Sequence, residues 1–254
     1  MLQIIAIDQL PLLNKGDDLA RMIVARVRRL GFGIKNRDIL VIGQKAISKT
    51  EGRVVNIDQI KPSGRAERLA RRIGKRPEFI EVVLRDSRRV LRADRDAFVV
   101  VTKDGQTCMN GGVDKSNIQR DNMYSLLPEN PDASARLLRR RIKKLTGKEV
   151  GVVICDTRSR PFRRGQVEEC IGVAGMSPLV DYRGQKDLFG YKLRFKNVAL
   201  ADELASAAEL VMGQGREATP VAIIRGLTRV RFQEHSSAKN MGVTAEEDLF
   251  RGTL

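Results

Sequence analysis

Apolar residues recur along this chain at two spacings, which predict an alternation of β-strands and α-helices. Short apolar runs between polar or glycine residues predict strands at residues 2–7, 39–42, 54–57, 97–101, 150–155, 171–175, 197–200 and 221–224. Apolar positions three and four residues apart predict helices at 17–31, 66–73, from 77 onward, 131–147 and 204–213. The pattern is typical of an α/β or mixed α+β protein with a mixed sheet. It leaves strand order open, and it is ambiguous over residues 228–254.

The helix predicted from Pro131 to Gly147 carries the densest run of positive charge, at residues 139–144. Its apolar positions are Leu137, Leu138, Ile142 and Leu145. These define one helical face, so the arginines and lysines between them, including Arg139 and Arg140, are predicted to form a solvated face.

The 254 residues include 47 Lys and Arg against 31 Asp and Glu, giving a formal net charge of +16 at pH 7. Such an excess suits either a nucleic acid or small polyanionic substrates. Aromatic residues make up 4% of the chain and there is no Trp, which leaves few platforms for stacking bases. No nucleic-acid-binding motif is visible, so small anionic substrates are the favoured partners.

The three cysteines are widely spaced and form no Cys-x-x-Cys motif. This favours a reducing cytoplasm over a disulfide framework or a zinc site. His235 is the single histidine, which leaves little for zinc-hydrolase or Ser-His-Asp chemistry. No apolar run approaches the roughly 18 residues that a membrane span requires, and no membrane partner is expected.

A glycine-rich stretch, Asn-Gly-Gly-Val-Asp-Lys-Ser-Asn at residues 110–117, follows the strand predicted at 97–101. Adjacent glycines admit backbone conformations closed to other residues and allow a ligand close to the main chain. Asp114, Lys115, Ser116 and Asn117 offer a carboxylate, a cation, a hydroxyl and an amide within four positions. These groups suit a metal-bound polyphosphate, although an ordinary polar loop has the same composition.

A second such stretch, Asp-Thr-Arg-Ser-Arg-Pro-Phe-Arg-Arg-Gly-Gln at residues 156–166, follows the strand predicted at 150–155. Ligands usually meet α/β sheets at the carboxyl ends of buried strands. Asp156 and Thr157 offer oxygen ligands there, and four arginines offer forks that match carboxylates and phosphates. Paired with Asp114, Asp156 predicts a magnesium or manganese site, because such ions are often held by one or two carboxylates together with phosphate oxygens.

Standard nucleotide motifs are missing. The chain has no Gly-x-x-x-x-Gly-Lys-Ser/Thr sequence, and the glycine-rich segment at residues 213–218 follows a predicted helix instead of a strand. Neither a P-loop nor a dinucleotide fold is therefore predicted.

An ordered set of motifs resembles the coenzyme F-420-0:L-glutamate ligases, the gamma-glutamyl ligases of deazaflavin coenzyme biosynthesis. The matching segments are residues 11–19, 41–53, 110–117, 127–136, 156–161, 165–166, 171–175, 181–184, 201–205, 209–214 and 220–227. Each is weak alone, and their order makes the set specific. The resemblance implies a single module over residues 1–254, without a fused nitroreductase-like domain. It also implies an α/β fold of two parts, with an unlocated internal boundary, in an intertwined homodimer whose groove holds the site.

The resemblance further implies a GTP-dependent reaction with Mg or Mn, two ions per site, and possibly K. A carboxylate of a phosphate-bearing deazaflavin precursor takes the γ-phosphoryl group of GTP, and L-glutamate then displaces phosphate to form an amide. Asp114, Asp156 and Arg160 are implied to be catalytic. The implied metal ligands are Asp114, Asp156, Thr157 and Gln214. The implied GTP contacts are Pro11, Leu12, Leu13, Asn14, Lys45, Asn117 and, more weakly, Ser48 and Lys49. Tyr182 and Arg183, with Arg160, are implied to meet acidic substrates.

Two alternatives stay open on the sequence. One is a gamma-glutamyl ligase that acts on a different acidic acceptor. The other is a non-catalytic, basic, nucleic-acid-binding protein that retains this fold.

Overall fold

The computed structural model describes residues 1–244 and 246–248 of the chain. Its helices are α1 (Leu19–Arg29), α2 (Gln44–Glu51), α3 (Gly64–Ile73), α4 (Pro77–Arg85), α5 (Pro131–Thr146) and α6 (Leu200–Met212). Its strands are β1 (Gln3–Ile7), β2 (Ile39–Gly43), β3 (Val54–Asn56), β4 (Ser87–Ala93), β5 (Phe98–Thr102), β6 (Thr107–Met109), β7 (Met123–Ser125), β8 (Gly151–Ser159), β9 (Gln166–Ala174), β10 (Val180–Asp181), β11 (Asn197–Val198) and β12 (Val221–Arg225). The predicted mixed α/β class is confirmed.

A five-stranded mixed sheet, in the order β1-β12-β2-β8-β9, forms the centre of the fold. Only β2 and β8 pair in parallel, and every other neighbouring pair in this sheet is antiparallel. Leu40 and Ile42 face a core shared with α1 and α5, whereas Ile39 and Val41 face a core shared with α6. Because helices cover both faces, the central strands are apolar at nearly every position.

A third cluster of buried side chains lies apart from the central sheet. It joins α3 and α4 to the three-stranded antiparallel sheet β4-β5-β6. Phe98 and Ile80 are fully buried there, and each such side chain contributes about 1.5–3 kcal/mol by leaving water. We name β4, β5 and β6 the small sheet.

Two predicted element boundaries were wrong. β8 continues to Ser159 as one arm of a hairpin with β9, so Asp156 lies within a strand and not at its end. The parallel pairing with β2 nevertheless ends at Cys155, so Asp156 is the first residue of β8 beyond it. Leu200, predicted as the end of a strand, is the first residue of α6.

Part of the predicted solvated face of α5 is also wrong. Arg139 lies against the protein, where its guanidinium donates to the carbonyl of Val150 and to the carboxylates of Glu149 and Glu234. Leu137, predicted as apolar core, is 42% exposed. Helix α5 is therefore rotated relative to the predicted face, whereas Arg140 is exposed as expected.

The ambiguous C-terminal segment is partly anchored by Asp132 in the first turn of α5. The Asp132 carboxylate accepts from the backbone N–H of Val173 on β9, the N–H of Ala238 and the hydroxyl of Ser237. A short 3-10 helix follows at Ala238–Met241. Residue 245 and residues 249–254 of the ambiguous segment lie outside the described residues. No helix in the described part of the chain is long and apolar enough to cross a membrane.

Candidate active site

A cavity of about 290 Å³ opens where β2 and β8 end their parallel pairing. Gly43 is the last residue of β2 and the N-cap of α2, and it has no side chain that could accept from the N–H groups of the first turn. Gln44, Lys45 and Ala46, the first residues of α2, line the cavity. The amino end of α2 therefore lies at the cavity wall, where its N–H groups and helix dipole favour an anion.

Gln44 has an unused donor at this wall. Its side chain is 3% exposed, and its Oε1 accepts from the hydroxyl of Ser48. Its Nε2 is buried without a hydrogen-bond partner among the described residues. A buried donor of this kind is satisfied when a ligand brings an acceptor. Gln44 did not stand out in the sequence, where a polar strand-to-helix junction is common.

The glycine-rich stretch reaches the same region through Lys45. Gly111 and Gly112 have φ of +63° and +68°, as their adjacency suggested. A Cβ on Gly112 would meet the Leu127 side chain at 2.5 Å, so a larger residue would force this turn to shift. Asp114, two residues on, lies 2.5 Å from Lys45 Nζ through its Oδ2.

Asp114 is held as a carboxylate by its neighbours. Ser116 donates to it from the backbone N–H at 3.0 Å and from the hydroxyl at 2.6 Å, and Lys45 also contacts Ser116 Oγ. Burial by itself raises the pKa of Asp114, but the hydrogen bonds from Lys45 and Ser116 outweigh it and leave this pKa below its ordinary value. Asp114 is thus ready to bind a cation at neutral pH.

Asp156 lines the cavity itself and lies in a different environment. Burial raises its pKa to about 6, against the opposing effect of Arg158, and the nearby Glu168 raises it further. Lys45 also acts on Asp156, favouring its ionised form. The two predicted carboxylates therefore share one lysine as a neighbouring charge.

Thr157 and Gln214, the other two predicted metal ligands, also line the cavity and contact each other. Gln214 Nε2 donates to Thr157 Oγ1 at 2.8 Å and to Glu168 Oε1 at 2.9 Å, and the Thr157 hydroxyl also donates to Glu168. Glu168 lies directly across the β8–β9 ladder from Thr157 and is 4% exposed. Sequence reasoning missed Glu168, and only the register of the hairpin reveals it.

The cavity lining also includes three glutamates, which a chain of net charge +16 did not suggest. Glu209 on α6 and Glu217 on the following loop line the cavity together with Glu168. Burial raises the pKa of Glu209, and Glu168 and Glu217 add to this effect, whereas Gln214 opposes it. The cavity lining thus combines the cation Lys45 with these three glutamates.

Most of the predicted GTP contacts meet at this cavity. Pro11, Leu12 and Leu13 line it, as do Lys45, Lys49 and Asn117. The ammonium of Lys49 donates to the carbonyl of Asn117 at 2.8 Å, and burial together with the charge of Lys45 lowers the pKa of Lys49. Two lysines and the amino end of α2 therefore lie on one side of the cavity.

Six predicted residues do not line this cavity, and one of them is Asp114, which is in contact with the cavity residue Lys45. Asn14 is exposed, and its backbone N–H donates to Asp17. Ser48 is fully buried behind Gln44, which a strand-to-helix junction could not reveal. Arg160 and Tyr182 are half-buried elsewhere, and exposed Arg183 pairs with Asp181.

The donor set fits magnesium or manganese. Asp114, Asp156, Thr157 and Gln214 offer only oxygen ligands, which these hard cations prefer. Within the described ranges, no three His, Cys, Asp or Glu side chains are arranged to hold a metal ion by themselves. Two carboxylates completed by phosphate oxygens and water are the arrangement that magnesium commonly adopts.

Comparison with known proteins identifies the family. Residues 8–226 match the family model described as "F420-0:Gamma-glutamyl ligase". The "Coenzyme F420:L-glutamate ligase" of Methanothermobacter thermautotrophicus is 40% identical over 251 residues, covering 99% of this chain and 99% of its own. The protein of the same name from Methanopyrus kandleri is 43% identical over 250 residues, covering 96% and 97%. That from Methanocaldococcus jannaschii is 44% identical over 220 residues, covering 87% of each. The chain therefore belongs to the F420-0:gamma-glutamyl ligase family and is a ligase that forms an amide bond.

Proposed function

We propose that this ligase uses GTP to add L-glutamate, through amide and γ-linkages, to the phosphate-bearing deazaflavin precursor F-420-0. The observation that carries the proposal is the pair Asp114 and Asp156 near Lys45 at the amino end of α2. Asp114 is in contact with Lys45, and Asp156 lines the cavity within reach of the same charge. Carboxylates, a lysine and a helix amino end are the groups that hold a metal-bound polyphosphate.

The chemistry proceeds in two steps. A carboxylate oxygen of the precursor attacks the γ-phosphorus of GTP, which breaks the bond to the β-phosphate oxygen and releases GDP. The amine of L-glutamate then attacks the acyl carbon, and the phosphate leaves as the amine loses a proton. A carboxylate alone is a poor electrophile, and the acyl phosphate supplies the leaving group.

The residues of this chain supply position and charge. Lys45 and Lys49 offer cations to the phosphates, and Gln44 offers its unused Nε2. Asp114 and Asp156 would hold one Mg or Mn ion, and Thr157 with Gln214 would contribute to a second. Such ions neutralise charge on the transferring phosphoryl group. Pro11, Leu12, Leu13 and Asn117, which line the same cavity, are proposed to contact the nucleotide.

We propose that the three glutamates and the arginine-rich β8–β9 hairpin bind the charged groups of the other substrates. Glu168, Glu209 and Glu217 face the side of the cavity where an ammonium group would be stabilised. Arg160, in the β8–β9 connection, has a buried Nε without a hydrogen-bond partner among the described residues. An acidic substrate group would satisfy it.

All three cysteines are free and buried, which agrees with a reducing cytoplasm.

Incubation of the protein with GTP, Mn²⁺, L-glutamate and the deazaflavin precursor tests the proposal. Mass spectrometry is expected to detect the precursor extended by glutamate, together with GDP. Omission of K⁺ tests the accessory ion in the same assay. A different acidic acceptor that is extended in place of the precursor would support the alternative ligase, and absence of any GTP-dependent product would reject the proposal.

Nucleotide binding is expected to require a divalent ion and to prefer guanine. The ion requirement follows from the carboxylates beside the phosphate-binding lysines, because without it these charges would repel the polyphosphate. Calorimetry with GTP and ATP, each with Mn²⁺ and with excess chelator, measures both properties. Equal GTP affinity in chelator would contradict the ion requirement, and tighter binding of ATP would contradict the base preference.

A homodimer is expected at micromolar concentration. The segment between β10 and β11 exposes Leu188, Phe189 and Phe195 at 97%, 95% and 91%. Apolar groups exposed together in this way mark an interaction surface. Light scattering is expected to give twice the chain mass for the wild type and a lower mass for the double variant Leu188→Ser and Phe189→Ser. A monomeric wild type would contradict this expectation.

A further inference from the structure

Arg158 is a buried cation that the proposed reaction does not use. Its side chain points from β8 toward the small sheet, and the residue is 8% exposed. The guanidinium donates from Nε to Asp156 Oδ2 at 3.1 Å, from Nη1 to the carbonyl of Thr107 at 3.2 Å and from Nη2 to Gln106 Oε1 at 2.5 Å. One planar group thus joins Asp156 to the start of β6 and the residue before it.

Gln106 is itself held in place. Its Nε2 donates to Asp104 Oδ2 at 2.6 Å, and its backbone N–H donates to Thr102 Oγ1. Thr102 in turn accepts the backbone N–H of Gly105 through its carbonyl, which closes the β5–β6 turn. The acceptors of Arg158 therefore belong to a tight, cross-linked turn, and the guanidinium fork can adopt few other positions.

A fixed Arg158 limits what Asp156 can do. Arg158 Nε donates to Oδ2 of Asp156, and no described residue donates a hydrogen bond to Oδ1. A second cation, Lys45, acts electrostatically on Asp156 and is in contact with Asp114. If the carboxylate of Asp156 rotated, the flexible side chain of Lys45 could move with it, whereas the packed guanidinium of Arg158 could not. Arg158 therefore restricts the orientation of this carboxylate.

We propose that Arg158 is a positioning residue: held by Gln106 and Thr107 of the small sheet, it fixes the carboxylate of Asp156 so that one oxygen faces the cation-binding side of the cavity. The inference rests on the proposed function, since that function makes Asp156 a ligand of a divalent ion. It adds that the small sheet takes part in the site without lining the cavity. Ligating carboxylates are commonly held by hydrogen bonds from outside the metal shell, and loss of such support weakens metal affinity about 10- to 100-fold.

A titration with Mn²⁺ in the absence of nucleotide tests the inference, with electron paramagnetic resonance as the measure of bound ion. Arg158→Gln removes the guanidinium together with its positive charge. The lost charge by itself would favour Mn²⁺, so a net weakening of Mn²⁺ affinity, expected to be about 10- to 100-fold, reports the loss of positioning. Gln106→Met removes one acceptor of the fork while keeping the length of the side chain, and a smaller loss of about threefold or more is expected from the same principle. Arg95→Gln, an exposed arginine in the turn between β4 and β5, is the matched control and is expected to leave affinity unchanged.

The outcomes separate positioning from stability. A purely structural role would lower the unfolding temperature of Arg158→Gln and Gln106→Met and leave their Mn²⁺ affinity, measured well below that temperature, equal to wild type. That result would overturn the inference. Gln106→Met keeps the buried arginine, so it decides the question if Arg158→Gln does not fold. Glutamate ligation by the wild type is assayed on the same preparation, so a failure of the proposed function is recognised separately.

Discussion

Replacing Asp114 or Asp156 by asparagine is expected to lower the rate of glutamate ligation at least about a hundredfold. This is the loss expected when one main electrostatic stabiliser of a transition state is removed. Each change removes a full negative charge with little change of shape. Burial raises the pKa of Asp156 to about 6, so its ionised form does not stabilise the fold, and the Asp156→Asn protein is expected to remain folded.

The matched control changes two exposed arginines of α5, Arg136→Ala and Arg140→Ala, because Arg139 is engaged in hydrogen bonds. Exposed charges contribute little to a distant site, so the control is expected to keep turnover within roughly threefold of wild type. Initial rates by mass spectrometry and retention on heparin are measured for every variant. A nucleic-acid-binding function predicts the reverse, with heparin retention lost in the arginine pair and unchanged in the aspartate variants. Near-wild-type turnover in both asparagine variants would refute the proposed site.

The central sheet was predictable because helices cover both of its faces. β2, β8 and β12 are buried on both faces, so each is a continuous apolar run that a strand prediction recognises. The helices on either side carry a single apolar stripe, and glycines follow α2, α3 and α5 in the left-handed conformation that ends a helix.

The small sheet was only partly predictable. β5 was found as an apolar run, but β4 is rich in exposed arginines and its register shifts twice against β5, between Ser87 and Arg89 and between Val90 and Arg92. Each shift breaks the alternation of side chains that identifies a strand. The prediction therefore missed β4. It also missed β6, a strand of three residues whose first residue, Thr107, accepts a hydrogen bond from Arg158.

The candidate site was predictable where its polar groups are close together in the sequence. The stretches around Asp114 and Asp156 each gather several polar groups within a few positions, and the structure joins them through Lys45. Glu168 could not be found in this way, because its proximity to Thr157 depends on the register of the β8–β9 hairpin where it extends past the end of β2. The burial of Ser48 likewise depends on the face that α2 turns inward.

Replacing Lys45 by methionine is expected to weaken GTP binding roughly ten- to hundredfold, as befits a hydrogen bond to a charged group worth about 1.5–3 kcal/mol. Two effects of opposite sign operate. The change removes a cation from the proposed phosphate site in the cavity, and it frees Asp114 from a partner 2.5 Å away, which favours binding of a divalent ion. At saturating Mn²⁺ the second effect no longer contributes, so the lost phosphate contact should dominate.

Calorimetry with GTP at saturating Mn²⁺ measures this loss, with Lys144→Met on the exposed face of α5 as the matched control. Titration of Mn²⁺ alone is expected to show the opposite sign, with affinity in Lys45→Met equal to or above that of the wild type. Lys45→Arg should recover only part of the GTP affinity, because a planar fork does not reproduce the point charge of an ammonium at the same distance. Wild-type GTP affinity in Lys45→Met would mean that the phosphates lie elsewhere, and the assignment of this cavity to the nucleotide would have to be abandoned.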